Sequence, residues 1–189
     1  MWLHRTDTTF KLKTKGDNYT GVELDIVYYP EVNSFDNSHD QAFEIDYPLE
    51  DMLAILGGTQ HKFWLDFKNL NVYNAERSLA KLEELLAAYG IDKSRAIVES
   101  PNYRELKHFK DAGFYTSFYV PTDVKYLRTK EGQNEFIDKV RQVAASGNVN
   151  AVSFPVEFYE LVKRADIDKD LLLWDLGGRW WAFFVDPQR

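Results

Sequence analysis

A chain of 189 residues is long enough to form one domain around a sizeable core, and its 44% hydrophobic and 15% aromatic content is that of a globular protein, not a disordered one. The formal net charge of −7 repels phosphate backbones and argues against nucleic-acid partners, while the absence of cysteine excludes disulfides and thiolate metal sites and leaves oxygen and imidazole as the only strong metal ligands. The opening residues lack the apolar stretch of a signal peptide, and no apolar run approaches the roughly 20 residues that span a bilayer, so a cytoplasmic protein without a membrane span is expected.

In chain order, short apolar runs alternate with amphipathic stretches, the pattern of βα units. Strands are predicted at Trp2–His4, Gly21–Tyr28 and Lys62–Phe67, with the polar stretch from Pro30 to Asp46 as a loop. A helix follows from Ala75 to Tyr89: Leu79, Leu82, Leu85 and Leu86 make its stripe, Asn74 is placed to cap it and Gly90 to end it. Next come a strand at Ala96–Glu99, a helix at Tyr103–Ala112 ended by Gly113, and a strand at Tyr115–Val120. A helix from Glu131 to Ser146, stopped by Gly147, leads to a strand at Ala151–Phe154 and a helix from Val156 to Arg164. Strands at Leu171–Trp174 and Trp181–Val185 end the series. Eight strands in this rhythm predict an α/β fold, a small (β/α)8 barrel. The chain falls short of the usual barrel length, so some helices must be shortened or missing. No linker or repeat interrupts residues 1–189, which are expected to form a single domain.

Strand alternation sorts the polar residues. In the second strand Val22, Leu24 and Ile26 share one face, and Glu23 and Asp25 the other. In the third, Phe63, Leu65 and Phe67 oppose Trp64, Asp66 and Lys68. His4 lies opposite Leu3. If the apolar sets face the helices, the ionisable sets face the barrel interior near the C-terminal ends of the strands, where barrel enzymes keep their sites. Charges aimed into one mouth are costly unless they pair or bind a metal. One reading pairs Glu23 and Asp25 with Arg5 and Lys68. The favoured reading adds His4, His39 and Asp66 and makes a site for a hard divalent cation, Mg2+ or Ca2+, held by Glu23, Asp25 and Asp66. Glu99 ends the fourth strand and is a candidate substrate contact or further ligand. Tyr119 and Trp174 are candidates for the pocket wall, and Trp180-Trp181 is expected in the core. His61 starts its strand and belongs at the opposite end of the barrel, His108 lies mid-helix in solvent, and Lys11, Lys13 and Lys15 reach the rim.

At these residues the sequence resembles the glycerophosphodiester phosphodiesterase family of phospholipase-C-like barrels. The resemblance rests on His4-Arg5 on the first strand, Glu23-Leu24-Asp25 on the second, His39-Asp40 in the following loop, and Asp66 with Lys68 on the third. Trp174 and Asp186-Pro187 echo the family's last two strands. The stretch Trp64-Leu65-Asp66-Phe67-Lys68 is also similar to the menorin-type branch of that superfamily. The chain departs from the family pattern where Thr6 replaces the glycine after His-Arg, and the family's Glu-Asn pair and its covering insertion are missing. The resemblance implies a phosphodiester hydrolase of lipid metabolism with His4 and His39 as acid and base, a carboxylate-bound cation, Arg5, Lys68, Glu99 and Trp174 on the substrate, and a small-molecule or lipid-linked phosphodiester as that substrate. It further implies attack by a neighbouring substrate hydroxyl to give a cyclic phosphate. A mouth without the insertion is expected to admit bulky substrates. Two other readings stay open: a non-catalytic barrel that binds a phosphorylated or sugar ligand, and a lyase using Lys68 as a Schiff base.

Overall fold

The structure, a computed structural model, describes residues 2–40, 44–123, 125–174 and 184–185. Its first half runs β1 (Trp2–Leu3), α1 (Thr9–Lys15), β2 (Gly21–Tyr29), β3 (Ser34–Asp36), α2 (Leu49–Gly57), β4 (Lys62–Phe67), α3 (Ala75–Ala88) and β5 (Ala96–Ser100). The second half runs α4 (Leu106–Asp111), β6 (Tyr115–Tyr119), α5 (Lys125–Arg128), α6 (Lys130–Ala145), β7 (Ala151–Pro155), α7 (Tyr159–Lys163), β8 (Asp170–Trp174) and β9 (Phe184–Val185). One curled sheet carries the order β1-β2-β4-β5-β6-β7-β8-β9, parallel from β1 to β8, with β3 folded back antiparallel on β2. This is the expected barrel-type α/β architecture with reduced helices.

The expected eighth parallel strand at Trp181–Val185 is corrected. Its described part, β9, pairs antiparallel with β8, Leu172 opposite Val185 and Leu173 opposite Phe184. The reason is chain length: a parallel crossover takes about a dozen residues or more, and the stretch from 175 to 183 is shorter than that. The Trp180-Trp181 pair and Asp186-Pro187 lie outside the described residues. The Pro30–Asp46 loop contains a strand after all, β3, and α2 follows it. Leu49, Met52, Leu53 and Leu56 are buried along α2 at helical spacing. The helix expected from Tyr103 is only Leu106–Asp111, and the one expected from Val156 opens as a 3-10 turn before α7.

The alternation holds along every strand that builds the site. Val22, Leu24 and Ile26 of β2, Phe63, Leu65 and Phe67 of β4, Val98, Phe118, Val152 and Phe154 are all buried against the helix layer. The facing helices supply Leu82, Leu85 and Leu86 of α3 and Phe136, Val140 and Val143 of α6. The inner face carries a second, smaller apolar group in which Trp64, Ala151 and Leu172 pack with Trp2, Ile97 and Tyr115. That group plugs the N-terminal end of the curl and leaves the C-terminal end to polar side chains. Thr8 caps α1 by accepting a bond from the Lys11 N–H at 3.2 Å. Asn74 precedes α3 as expected but does not cap it. Its Oδ1 accepts from the Asn71 N–H at 2.8 Å and its Nδ2 donates to the Asn69 carbonyl at 2.9 Å, tying up the loop after β4 instead. Among the described residues no helix is long and apolar enough to cross a membrane.

Candidate active site

Strand register aligns the inner-face carboxyls. Asp25 of β2 stands level with Asp66 of β4, and Asp66 with Glu99 of β5. Glu23, Asp25 and Asp66 are all buried, and one carboxylate oxygen from each lies within 4.8 Å of the others. Lys68, one residue beyond β4, donates from Nζ to Asp25 Oδ1 at 2.6 Å and to Asp66 Oδ2 at 2.5 Å. These groups, with His4, Arg5, His39, Trp64, Glu99, Tyr119, Thr122 and Trp174, line one cavity of about 240 Å³ at the C-terminal ends of the strands. Every candidate site residue that the sequence singled out is therefore brought to one place. Trp64 and Thr122 join the lining unforeseen. Trp64 was legible in its parity with Asp66, but Thr122 follows β6 in a loop and left no periodic signal.

The turn after β1 is shaped around Glu23. The Arg5 N–H donates to Glu23 Oε2 at 2.5 Å, the Thr6 N–H donates to the Glu23 carbonyl at 2.9 Å, and His4 Nε2 lies 3.7 Å from the same Oε2. Arg5 accepts a left-handed φ of 48° to make this corner, the kind of local strain that over-determined sites hold. Thr6 is fully buried, and its hydroxyl donates to the Leu3 carbonyl at 3.2 Å. Lys11 is drawn inward from the rim, with Nζ donating to the His4 carbonyl at 3.0 Å and to the Arg5 carbonyl. Of the three rim lysines, Lys13 and Lys15 remain exposed.

His39 comes from the loop after β3. The loop is pinched at its base: the Asn37 N–H donates to the Tyr47 carbonyl at 2.7 Å, and the Tyr47 N–H donates to Asp36 Oδ1 at 2.7 Å. Asn37 Nδ2 also donates to the Thr6 carbonyl at 3.1 Å, which ties the His39 loop to the His4 turn. His39 itself is exposed, with Nδ1 3.0 Å from Asp40 Oδ1. His61 lies at the far end, its Nε2 3.1 Å from the Gly16 carbonyl, as expected. His108 on α4 is partly exposed and lies 3.6 Å from Glu105.

Four buried carboxyls meet one half-buried ammonium, that of Lys68, so negative charge is in surplus. Burial, then the neighbouring Asp25, raises the Glu23 pKa well above the ordinary range, against the Arg5 N–H bond. Burial also raises Asp66, although Lys68 works the other way. Burial pushes Glu99 up to about 8, with Asp66 adding to it. Burial alone would lower the Lys68 pKa, but Asp66 and Asp25 outweigh it and raise it, so the amine stays protonated. The geometry, with Lys68 Nζ paired to both Asp25 and Asp66, favours an ion-paired ammonium over a Schiff-base nucleophile. Burial and then the Arg5 charge lower His4 to about 4, which leaves its imidazole neutral at neutral pH.

The donor set fits a hard divalent cation. The clustered ligand atoms are all carboxylate oxygens, and Asp25 Oδ2 is buried without a hydrogen-bond donor among the described residues.

No protein-family model matches the chain, and no curated protein sequence does. Solved structures do match. A candidate glycerophosphoryl diester phosphodiesterase from Silicibacter pomeroyi DSS-3 aligns with a TM-score of 0.69 at 15% identity, over 93% of this chain and 82% of its own. A glycerophosphodiester phosphodiesterase from Parabacteroides distasonis aligns at 0.64 and 11%, over 92% and 82%. An Oleispira antarctica phosphodiesterase, solved with the product sn-glycerol-3-phosphate, aligns at 0.64 and 12%, over 93% and 83%. The chain has the fold of glycerophosphodiester phosphodiesterase structures over nearly its whole length.

Proposed function

We propose that this chain is a phosphodiester hydrolase of the glycerophosphodiesterase type. The observation that carries the reading is the convergence of Glu23, Asp25 and Asp66 with His4 and His39 at the mouth of one cavity. In this reading Glu23, Asp25 and Asp66 hold one divalent cation, Mg2+ or Ca2+. When bound, such a cation neutralises charge on the nonbridging phosphoryl oxygens. Lys68 and Arg5 add positive charge on the same side and orient the phosphoryl group. His4, held neutral by burial, takes the proton of the attacking hydroxyl, and His39, its Nδ1 beside Asp40, returns a proton to the leaving oxygen. In this scheme a hydroxyl of the substrate itself attacks phosphorus, the bond to the leaving alcohol breaks to give a cyclic phosphate, and water then opens the ring to the phosphomonoester. Glu99 and Trp174 contact the alcohol side of the substrate. The product in the Oleispira structure, sn-glycerol-3-phosphate, supports a small glycerophosphodiester as one substrate. A lipid-linked diester fits the same chemistry.

The competing reading is a barrel that binds a phosphorylated ligand without cleaving it. Calorimetry with Mg2+ and Ca2+ paired with a hydrolysis assay on a glycerophosphodiester separates the two. The hydrolase reading expects one cation site, abolished in Asp25→Ala, and release of product only when the cation is present. Ligand binding without turnover in the cation-loaded protein would leave the non-catalytic reading standing.

A further inference from the structure

The cavity has two unlike halves. Around the curl, β1, β2 and β4 contribute His4, Glu23, Asp25, Asp66 and Lys68, the groups assigned above to the phosphoryl group. The other half comes from β5, β6 and β8 and the loop after β6, which contribute Glu99, Tyr119, Trp174 and Thr122. It presents an aromatic wall, with the Tyr119 and Trp174 rings stacked at 5.8 Å between centroids and 18° between planes.

The same half holds polar atoms whose bonding capacity is unmet. Glu99 Oε2 and the Trp174 indole N–H are buried without a partner among the described residues, although both side chains line the cavity. Behind Glu99, the Ser117 and Ser153 hydroxyls are buried, and neither reaches full hydrogen-bond geometry. Ser117 is level with Glu99 across the β5–β6 pairing, and both serines act on the Glu99 carboxyl as hydrogen-bond donors would. A buried polar atom left unmet is costly, so this half is shaped for a guest that both donates and accepts.

We propose that this half binds the alcohol moiety of the substrate and that the moiety is a hydroxyl-rich ring, a sugar or cyclitol. Its apolar ring face lies against the Tyr119–Trp174 wall. Its hydroxyls meet Glu99 Oε2 as donor and the Trp174 N–H as acceptor. Ser117 and Ser153 are positioning residues that hold the Glu99 carboxyl from behind. An aromatic wall beside a carboxyl also attracts quaternary ammonium groups such as choline. A trimethylammonium group, however, neither donates nor accepts a hydrogen bond, so it would leave the Trp174 N–H buried and unmet and would add no donor at Glu99 Oε2. That asymmetry decides for the polyol.

The proposal rests on the phosphodiesterase reading, and the test separates the two. Hydrolysis of glycerophosphoinositol and glycerophosphocholine is compared as kcat/KM in the cation-loaded protein, and binding of inositol 1-phosphate and phosphocholine is compared by calorimetry. The wild-type protein is expected to favour the inositol compound at least tenfold in both measurements. Glu99→Gln keeps the volume and Trp174→Phe keeps the ring while removing the N–H. Each should shrink the inositol-over-choline ratio at least fivefold, whatever it does to the absolute rates. Equal treatment of the two headgroups, a choline preference, or variants that lower both substrates alike would overturn the polyol subsite while leaving the hydrolase intact. Selective inositol phosphate binding with no hydrolysis of either diester would uphold the subsite and overturn the hydrolase.

Discussion

His4 is the residue whose environment makes the sharpest prediction. Burial and Arg5 lower its pKa from 6.5 to about 4, so in this window the unfolded chain takes up a proton before the folded one does. The stability contributed by neutral His4 is therefore complete above pH 6.5 and is lost as the pH falls towards 4. Glu23, Asp66 and Glu99 run the opposite way. Their pKa values are raised on folding, so the folded protein gains protons first and their burial becomes less costly as the pH falls. The net slope mixes both, but a difference isolates His4. Urea denaturation at pH 7 and pH 4.5 should show His4→Gln losing less stability than the wild type over that interval. Equal losses would mean that His4 is not held neutral. For catalysis, His4→Ala and His39→Ala should each lower turnover about 100-fold or more, the usual scale of general acid–base catalysis. His61→Ala should leave turnover unchanged, because His61 lies at the opposite end of the sheet against Gly16. Wild-type turnover in either active-site variant would remove that histidine from the mechanism.

At the scale of elements, the His39 loop and the His4 turn are joined through Asn37. Truncating Asn37 removes its bond to the Thr6 carbonyl but touches none of the three clustered carboxylates. Asn37→Ala should therefore lower turnover at least about tenfold, the scale on which misplaced catalytic groups cost rate, while cation affinity by calorimetry stays within error. A parallel loss of cation affinity would show that the loop supports the carboxylates instead. Gly21 is a packing constraint of a different kind. A methyl group there would lie 2.8 Å from both the Lys62 carbonyl and the Trp2 ring, so Gly21→Ala should destabilise by about 1–3 kcal/mol in chemical denaturation. What was legible among the elements follows from periodicity. β2 and β4 alternate cleanly, and α3 and α6 display their stripes. α2 displays one too, at Leu49, Met52, Leu53 and Leu56, although it follows a polar approach that reads as loop. β3 carries no such signal. It is three residues with Phe35 as their only apolar member, and its pairing with β2 is set by the tertiary structure. The direction of β9 was legible in the short connection that precedes it, not in its own residues.

Across the whole molecule, the site was legible wherever strand parity alone places a side chain, as with Glu23, Asp25, Asp66 and Lys68. Parity does not say which strands become neighbours or at what level. The grouping of Glu99 with Ser117 and Ser153, and the facing of Tyr119 by Trp174, arise only from register across β5 to β8. The register of β2, β4 and β5 gathers four carboxyls inside a chain of net charge −7, and the half-buried Lys68 answers them with positive charge. The folded state therefore has a use for a cation that the unfolded chain, with its carboxylates apart and hydrated, does not share. A ligand bound only by the folded state stabilises it by mass action, by about 2.7 kcal/mol at a concentration 100 times its Kd. For a chain of this size each kcal/mol moves Tm by roughly 2–4 °C, so saturating Ca2+ or Mg2+ should raise Tm by roughly 5–10 °C. A chelator should reverse the gain. Asp25→Ala needs its own baseline, because removing a buried charge changes the metal-free Tm as well. Measured within that variant, the cation-dependent shift should vanish. A shift of wild-type size in Asp25→Ala would place the cation elsewhere, and no shift in the wild-type protein would leave the carboxylate surplus to be relieved by protons alone.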